Sequence, residues 1–158
     1  MRKGMIGALS LMAGIVGGMV GTKEIEKPKL NKAKQQSDKH LALYLMMNQW
    51  VKVKQENKSI AEYLEKQGYK EIAIYGMNYV GETLLNELAG SGIHVKYGID
   101  KKADGIYSNV EVISPEDVLE EVDVVVVTAI TFFDEIEELL SEKLECPIIS
   151  LEDILYEV

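Results

Sequence analysis

One segment of this chain constrains the fold more than any other: Val122 to Thr128, which reads VDVVVVT. A strand with one face in water alternates apolar and polar residues, but the four consecutive valines here show no alternation. A continuous apolar run of this kind is expected where both faces of a sheet are covered, as in parallel sheets flanked by helices. The segment therefore predicts an α/β domain with a parallel sheet.

Shorter apolar runs on either side alternate with helical patterns. Further strands are predicted at Glu71–Tyr75, Ile93–Ile99, Val110–Ile113 and Pro147–Ile149. Helices are predicted at Ile60–Gln67, Tyr79–Ala89 and Thr131–Leu144, with two more beginning at Ser114 and Ser150. A helix followed by five strands, four of which lead into a helix, is typical of a Rossmann-like, doubly wound parallel sheet. We predict this domain at residues 59–158, with strand order 3-2-1-4-5.

Capping residues mark where several of these helices begin and end. Ser59 stands three residues before Glu62, which is the spacing of a capping box, and Gly68 supplies a helix stop. Ser114 and Pro115 place an N-cap and an N1 proline before two acidic residues, so a helix is expected to start there.

Charge divides the chain into two parts. The net charge of -9 combines a balance of +7 over residues 1–58 with a balance of -16 over residues 59–158. Nucleic-acid binding depends on clustered Lys and Arg. The acidic body therefore argues against a nucleic-acid partner.

The N-terminal segment predicts a membrane anchor at residues 1–22. Gly4 to Thr22 contains no charged residue, and as a helix it would reach about 28 Å, close to the hydrocarbon thickness of a bilayer. A cleaved signal peptide is the alternative, but no A-x-A-like site precedes Lys23. Lysines are enriched after the span, which predicts a single-pass protein of the cell membrane with its C-terminal domain in the cytoplasm. They are Lys23, Lys27, Lys29, Lys32, Lys34 and Lys39.

Two segments connect the anchor to the domain. Residues 23–37 are Lys-rich and contain Pro28, so they are interpreted as a basic linker. Residues 38–58 are predicted to form an amphipathic helix capped by Ser37 or Asp38. Its apolar positions are Leu43, Met46, Met47, Trp50 and Val53. This face could dock a partner, or it could pack on its own domain or on a second copy in a homodimer.

The cysteine and histidine counts argue against a metal site. Cys146 is the single cysteine, and His40 and His94 lie far apart in sequence. Cys146 precedes Pro147 at the edge of an apolar run and has no cationic neighbour in sequence to lower its pKa. We interpret it as a packed side chain.

A ligand of such a sheet is expected outside the carboxyl ends of the strands, at the switch between the first and fourth strands. Three segments converge there: Gly76 to Gly81, the end of the second strand at Asp100, and Thr128 to Thr131. The first of them, GMNYVG, matches the dinucleotide-binding pattern G-x-G-x-x-G except that Asn78 replaces the middle glycine. In that pattern the middle glycine lets the backbone approach the pyrophosphate, so Asn78 is expected to impair that approach.

Asp100 lies 19 positions after Gly81, near the distance at which an acidic side chain meets a ribose hydroxyl. Lys101 and Lys102 beside it could accommodate a 2′-phosphate or a nucleotide-sugar phosphate. The candidate nucleotide contacts are Gly76, Met77, Asn78, Tyr79, Gly81, Asp100, Lys101, Thr128 and Ala129. The alternative is that the glycines serve folding only, and that Asp100 caps a turn.

The segments IAIYGMNYVGETLLNEL, VKYGID and DVVVVTAI resemble the Rossmann domain of NAD-dependent nucleoside-diphosphate-sugar epimerases and dehydratases. They resemble more closely small Rossmann-like proteins and accessory domains found with bacterial surface-polysaccharide enzymes. The resemblance implies nucleotide contacts at Gly76, Asn78, Gly81 and Asp100, with NAD, NADP or a nucleotide sugar as the ligand. It does not carry over a catalytic pair, because the Tyr-x-x-x-Lys match, Tyr97 with Lys101, spans a strand end and a turn.

These features predict a membrane-anchored nucleotide- or nucleotide-sugar-binding accessory protein without a complete catalytic apparatus, assisting a partner enzyme in surface-polysaccharide synthesis. One alternative is the cofactor-binding half of an NAD(P)-dependent epimerase or reductase that another chain completes. Another is a structural interaction module with an empty pocket.

Overall fold

The computed structural model describes the backbone of residues 3–158 and the side chains of residues 28–158. The chain forms two compact units, Met1–Leu41 and Ala42–Val158. The helices of the described residues are α1 (Lys3–Gln55), α2 (Ile60–Lys66), α3 (Tyr79–Leu88), α4 (Phe133–Ser141) and α5 (Leu151–Glu157). The strands are β1 (Glu71–Tyr75), β2 (His94–Ile99), β3 (Val112–Ile113), β4 (Val124–Val127) and β5 (Ile148–Ser150).

The five strands form one sheet in the order β3-β2-β1-β4-β5, and every neighbouring pair is parallel. This confirms the predicted Rossmann-like α/β sheet and its strand order. The last residue of β1, Tyr75, pairs with Ile99 on one side and Val127 on the other. Three strands therefore end at the same level of the carboxyl edge.

Helices cover both faces of the sheet, as the four valines of β4 predict. Val124 and Val126 pack with α2, α3, α5 and the end of α1, whereas Val125 and Val127 pack with α4. All four valines are fully buried. Burial on both faces explains the continuous apolar run, because neither face contacts water.

The end of α1 packs on its own domain. Met46, Trp50 and Val53 are buried in the core cluster that also contains α2, α3 and α5. Of the alternatives for this apolar face, the structure therefore shows packing on the same chain. Met47 is the exception, because it is partly exposed.

The predicted linker and helix start are wrong for the described residues. Residues 28–37 lie inside α1, and no helix begins at Ser37 or Asp38. Pro28 is accommodated within the helix. Lys, Ala and Gln dominate residues 32–36, and all three are strong helix formers, which favours a continuous helix over an irregular linker.

The predicted anchor, residues 1–22, falls outside the part of the chain whose side chains the structure describes. Within the part of the chain whose side chains are described, no helix has the length and apolar character needed to cross a bilayer. The anchor and its orientation stay predictions from the sequence.

The helix predicted to begin at Ser114 is absent, and a single turn takes its place. The Ser114 amide donates to the Asp117 carboxylate (2.9 Å), and the Ser114 hydroxyl accepts from the Glu116 amide (3.2 Å). The backbone then leaves the turn, and the Glu120 carbonyl accepts a hydrogen bond from the buried Tyr97 hydroxyl. The Pro115 and Glu121 carbonyls likewise accept from the Lys143 and Lys96 side chains, so side chains of other elements take the place of helical amides along this segment.

Of the other predicted helix ends, one is wrong and two are confirmed. The Ser59 side chain makes no capping hydrogen bond to α2, so the predicted capping box does not form. Gly68 does end α2 with a positive φ of 87°. The Ser150 hydroxyl caps α5 by accepting from the Glu152 amide (3.2 Å), as predicted.

Candidate functional site

Gly76 makes the tight turn that follows β1. Its φ is +94°, a value that L-residues rarely adopt, and its amide donates to the Ile99 carbonyl at the end of β2 (2.8 Å). A Cβ atom at this position would lie 2.7 Å from the Thr128 hydroxyl oxygen. Both the backbone conformation and the neighbouring strand therefore require glycine here.

Gly81 lets α3 pack against that turn. A Cβ atom on Gly81 would lie 2.4 Å from the Gly76 carbonyl oxygen, which is well inside contact distance. The two glycines therefore have the roles that the glycine pattern predicts: Gly76 makes the turn, and Gly81 permits close packing of the helix.

Asn78 caps α3 with its own side chain. Its backbone is extended, with φ −94° and ψ −164°, and its side-chain oxygen accepts from the Val80 amide (2.9 Å). The amide oxygen thus occupies the helix N-terminus, where a pyrophosphate approaches in the dinucleotide-binding pattern. This geometry agrees with the expectation that the missing middle glycine impairs that approach.

Asp100 links the end of β2 to the glycine turn. One carboxylate oxygen accepts from the Met77 amide (3.0 Å), and the other accepts from the Lys102 amide (2.9 Å). The residue is half-buried, and Lys101 and Lys102 beside it are exposed. A carboxylate offers about four lone-pair sites, so two acceptor positions are left after these two bonds.

Met77 and Tyr79 differ sharply in exposure. Met77 is 2% exposed and packs over β2, where a Cβ atom on Gly98 would lie 2.5 Å from its Cγ. Since its amide is already bonded to Asp100, Met77 has a structural role at this edge. Tyr79, in contrast, is 90% exposed on the first turn of α3.

Thr128 is buried, and its hydrogen bonds are made within the fold. Its hydroxyl lies 2.7 Å from the Gly76 carbonyl and 3.1 Å from the Tyr75 carbonyl, so its single proton has partners already. Its amide also donates to Tyr75 (2.9 Å). Thr128 therefore fastens β4 to the glycine turn, while Ala129, which follows it, is partly exposed.

Tyr75 is a residue that the sequence analysis missed. It is the last residue of β1 and only 4% exposed, and among the described residues no atom forms a hydrogen bond with its hydroxyl. Burial raises the pKa of Tyr75, and the carboxylates of Asp100 and Glu116 raise it further. The Tyr75 phenol is therefore held neutral within the electrostatic influence of Asp100, and the apolar sequence around Tyr75 gives no sign of this.

Tyr97 and Lys101 do not form a catalytic pair. Burial raises the pKa of Tyr97 to about 12, and its hydroxyl donates to the Glu120 carbonyl. Its side chain belongs to the core cluster under α4, whereas Lys101 is exposed beyond the strand end. Burial also raises the pKa of the Cys146 thiol, which disfavours the nucleophilic thiolate.

A second feature lies away from the strand switch. A cavity of about 350 Å³ runs along α3, and we call it the α3 groove. It is lined by Glu82, Leu85, Asn86, Tyr107, Ser108 and Asn109. No sequence pattern indicates this groove, because its outer wall, the connection after β2, has no periodicity that places it beside α3.

No protein-family model, curated protein or solved structure matches the chain. Within the described residues, no group of three or more His, Cys, Asp or Glu side chains could hold a metal ion. The geometry of the carboxyl edge is therefore the basis for a functional proposal.

Proposed function

We propose that the domain binds a nucleotide at the carboxyl edge of its sheet and acts as a non-catalytic accessory protein. The observation that carries the proposal is the placement of Asp100. Its carboxylate stands at the end of β2, next to the glycine turn after β1, and is held there by the Met77 and Lys102 amides. A carboxylate fixed at this position suits the two hydroxyls of a ribose.

The position proposed for the ligand's phosphates follows from the amides at the start of α3 and from the lysines beside Asp100. The Val80 amide is capped by Asn78 and the Met77 amide is taken by Asp100, so α3 offers fewer donors than a dinucleotide-binding helix. Lys101 and Lys102 are exposed beside Asp100 and supply positive charge instead. This distribution disfavours the dinucleotide-binding mode of NAD or NADP, in which the pyrophosphate lies against the helix N-terminus. We therefore propose a nucleotide sugar whose phosphates lie near the two lysines.

The wider role rests on the resemblance to accessory proteins of surface-polysaccharide synthesis. We propose that the chain is held at the cytoplasmic face of the membrane by residues 1–22 and presents the nucleotide-binding domain to a partner enzyme. The buried, hydrogen-bonded Tyr97 supports a role without catalysis, because its phenol is not available as an acid or base.

Thermal unfolding of the full chain with NAD, NADP, uridine diphosphate, nucleotide sugars and S-adenosylmethionine tests the proposal. A ligand at about one hundred times its dissociation constant should stabilise the fold by about 2.7 kcal/mol. Asp100→Asn should reduce this ligand-dependent gain, whereas Asp104→Asn, at an exposed acid in the same connection, should retain it. If none of these ligands shifts the transition, the nucleotide proposal is wrong.

A specific observation also favours a second candidate, the structural interaction module. Asp100, Asn78 and Thr128 all bond to backbone groups of the same edge, so the edge is stable with no ligand present. In this case no small molecule shifts the transition, and Asp100→Asn lowers stability without affecting any ligand response. Turnover that appears only with an added partner enzyme would instead indicate a split epimerase or reductase.

A further inference from the structure

The α3 groove has the polar lining of a binding site but lies outside the set of residues that the nucleotide proposal uses. Glu82, Leu85 and Asn86 come from α3, and Tyr107, Ser108 and Asn109 come from the connection between β2 and β3. Ligand pockets run from about 300 to 1,000 Å³, so a cavity of about 350 Å³ suits a ligand of roughly one sugar ring rather than a dinucleotide.

Ser108 gives an independent reason to expect a ligand here. Its hydroxyl oxygen is buried, and no hydrogen-bond partner for it is found among the described residues. Buried hydroxyls are normally paired, and this one belongs to a residue that lines the groove, so a small shift of the connection would let a ligand supply the missing partner.

The chemistry of the lining selects the class of ligand. Glu82 contributes a carboxylate that only accepts hydrogen bonds, while the Asn86 and Asn109 amides and the Ser108 hydroxyl can both donate and accept. Sugar hydroxyls, which also both donate and accept, match this set. The negative charge of Glu82 disfavours an anionic group, and the single aliphatic residue, Leu85, gives little support for an apolar one.

Tyr107 adds an aromatic surface. Its side chain is 97% exposed at the groove, so the fold buries none of the ring for its own stability. Exposed aromatic rings pack against the C–H face of a sugar while hydroxyls around the ring bond to polar side chains. The groove therefore combines one aromatic face with several uncharged hydrogen-bonding groups.

We infer that the α3 groove binds an uncharged hexose. The groove and the candidate nucleotide site use different residues of the same two segments: Glu82 follows Asn78 by one helical turn, about 5.4 Å, and Tyr107 belongs to the connection that begins at Asp100. The hexose of a nucleotide sugar could then enter the groove while its ribose lies at Asp100. That connection to a nucleotide rests on the proposed function; binding of the hexose itself does not.

Nuclear magnetic resonance of the full chain tests the inference, in a detergent without a sugar headgroup. The probes are glucose, galactose and N-acetylglucosamine, followed by uridine diphosphate and its conjugates with the same sugars. We expect free hexoses and conjugates to shift the signals of Leu85, Asn86 and Asn109. Uridine diphosphate alone should shift only signals near Gly76 and Asp100.

One double variant removes two of the proposed contacts. Asn86→Ala combined with Ser108→Ala should weaken hexose binding at least about tenfold, because two hydrogen-bonding groups are lost. Since the Ser108 hydroxyl has no partner in the fold, this change should not lower the thermal transition. Asn48→Ala, at an exposed asparagine of α1, is the matched control and should bind hexose like the unchanged protein.

The outcomes separate this inference from the nucleotide proposal. If neither free hexoses nor conjugates shift the groove signals, the inference is overturned, whatever uridine diphosphate does. If hexoses shift the groove signals but no nucleotide shifts those near Asp100, the groove is a hexose site and the nucleotide proposal fails. Hexose binding that the double variant leaves unchanged would also overturn the assignment to this groove.

Discussion

Gly76 and Gly81 are both required at the carboxyl edge, but for different physical reasons. Gly76 needs a positive φ, which costs other residues strain, and it also faces the Thr128 hydroxyl. Gly81 has ordinary helical geometry, and only the closeness of the Gly76 carbonyl excludes a side chain. Substitution of Gly81 by alanine therefore isolates the close contact between helix and turn from backbone strain.

Gly81→Ala should lower the free energy of unfolding by about 2 kcal/mol. The added Cβ would lie 2.4 Å from the Gly76 oxygen, a backbone atom that cannot move away alone, and overpacking of this kind costs about 1–3 kcal/mol. The higher helix propensity of alanine offsets part of that cost. Urea unfolding measures the change.

Gly105→Ala is the matched control for this change. Nothing lies within 4 Å of a Cβ at Gly105, so we expect a change of at most about 0.5 kcal/mol. If Gly81→Ala unfolds at the same urea concentration as the control, the helix does not approach the turn this closely.

Asp123 should make stability depend on pH. Its carboxylate accepts from the Lys70 and Glu71 amides at 2.7 and 2.8 Å, and these bonds lower the pKa of Asp123 below its ordinary value of 3.8. Its contribution is therefore present above about pH 4 and is lost as pH falls through the lower folded-state pKa. Asp123→Asn should destabilise the fold near neutral pH, and the difference from the unchanged protein should shrink in acid.

Urea unfolding of both proteins at about pH 7 and about pH 3 checks this dependence. Asp104→Asn, at an exposed acid in the connection after β2, is the control and should show a small difference at both pH values. A stability difference for Asp123→Asn that is equally large at both pH values would contradict the assigned role of its carboxylate.

At the scale of elements, the end of α1 is joined to the domain by polar contacts as well as apolar ones. The Gln49 amide donates to the Leu155 carbonyl in α5 (3.0 Å). The Trp50 indole donates to Glu87 in α3, and Lys54 forms an ion pair with the same carboxylate (3.1 Å). These bonds fix the position of residues 42–55 on α3 and α5.

Trp50→Ala should therefore destabilise the domain by about 3–5 kcal/mol, because it opens a cavity in the core and leaves Glu87 without its indole donor. Val51→Ala, at a 52% exposed neighbour on the same helix, should cost at most about 0.5 kcal/mol. Chemical denaturation compares the two variants. Equal stabilities would show that this helix face does not belong to the core of its own domain.

The elements that could be predicted from sequence are those whose pattern depends on burial. The four valines of β4 indicate coverage on both faces, and the alternation of strands and helices indicates a parallel sheet, for which 3-2-1-4-5 is a common order. The helix expected at Ser114 is wrong because its cap residues close a turn equally well. Cap residues show where a helix can begin. They do not show whether the residues that follow form hydrogen bonds to other parts of the fold instead.

The candidate site was predicted only in part, for a similar reason. The spacing of Gly76 and Gly81 indicates a strand–turn–helix, and the structure places Asp100 beside it. The bond from the Met77 amide to Asp100 joins two segments across the sheet, so no local pattern encodes it. The buried Tyr75 hydroxyl and the α3 groove likewise depend on tertiary packing of irregular connections.

At the scale of the whole molecule, the two charge balances have opposite consequences at a membrane. Residues 59–158 carry a balance of -16 and are repelled by anionic headgroups, whereas the lysines of residues 23–39 are attracted by them. Membrane association is therefore expected from the first part of the chain alone. If residues 1–22 span the membrane, the excess of Lys and Arg after them is expected to keep the acidic domain on the cytoplasmic side.

Replacement of Lys23, Lys27, Lys29, Lys32, Lys34 and Lys39 by glutamine should reduce the preference for a cytoplasmic C-terminal domain. Orientation follows the excess of Lys and Arg near the span, and this change leaves only Arg2 and Lys3 close to it. Protease added outside intact spheroplasts, with a tag after Val158, measures the accessible fraction. The tag on the unchanged chain should be protected, and the tag on the variant should be partly cleaved. A control with Lys101, Lys102 and Lys143 replaced should stay protected.

Cleavage of the unchanged chain would reverse the proposed orientation, and release of that chain by an alkaline wash would show that residues 1–22 are not an anchor.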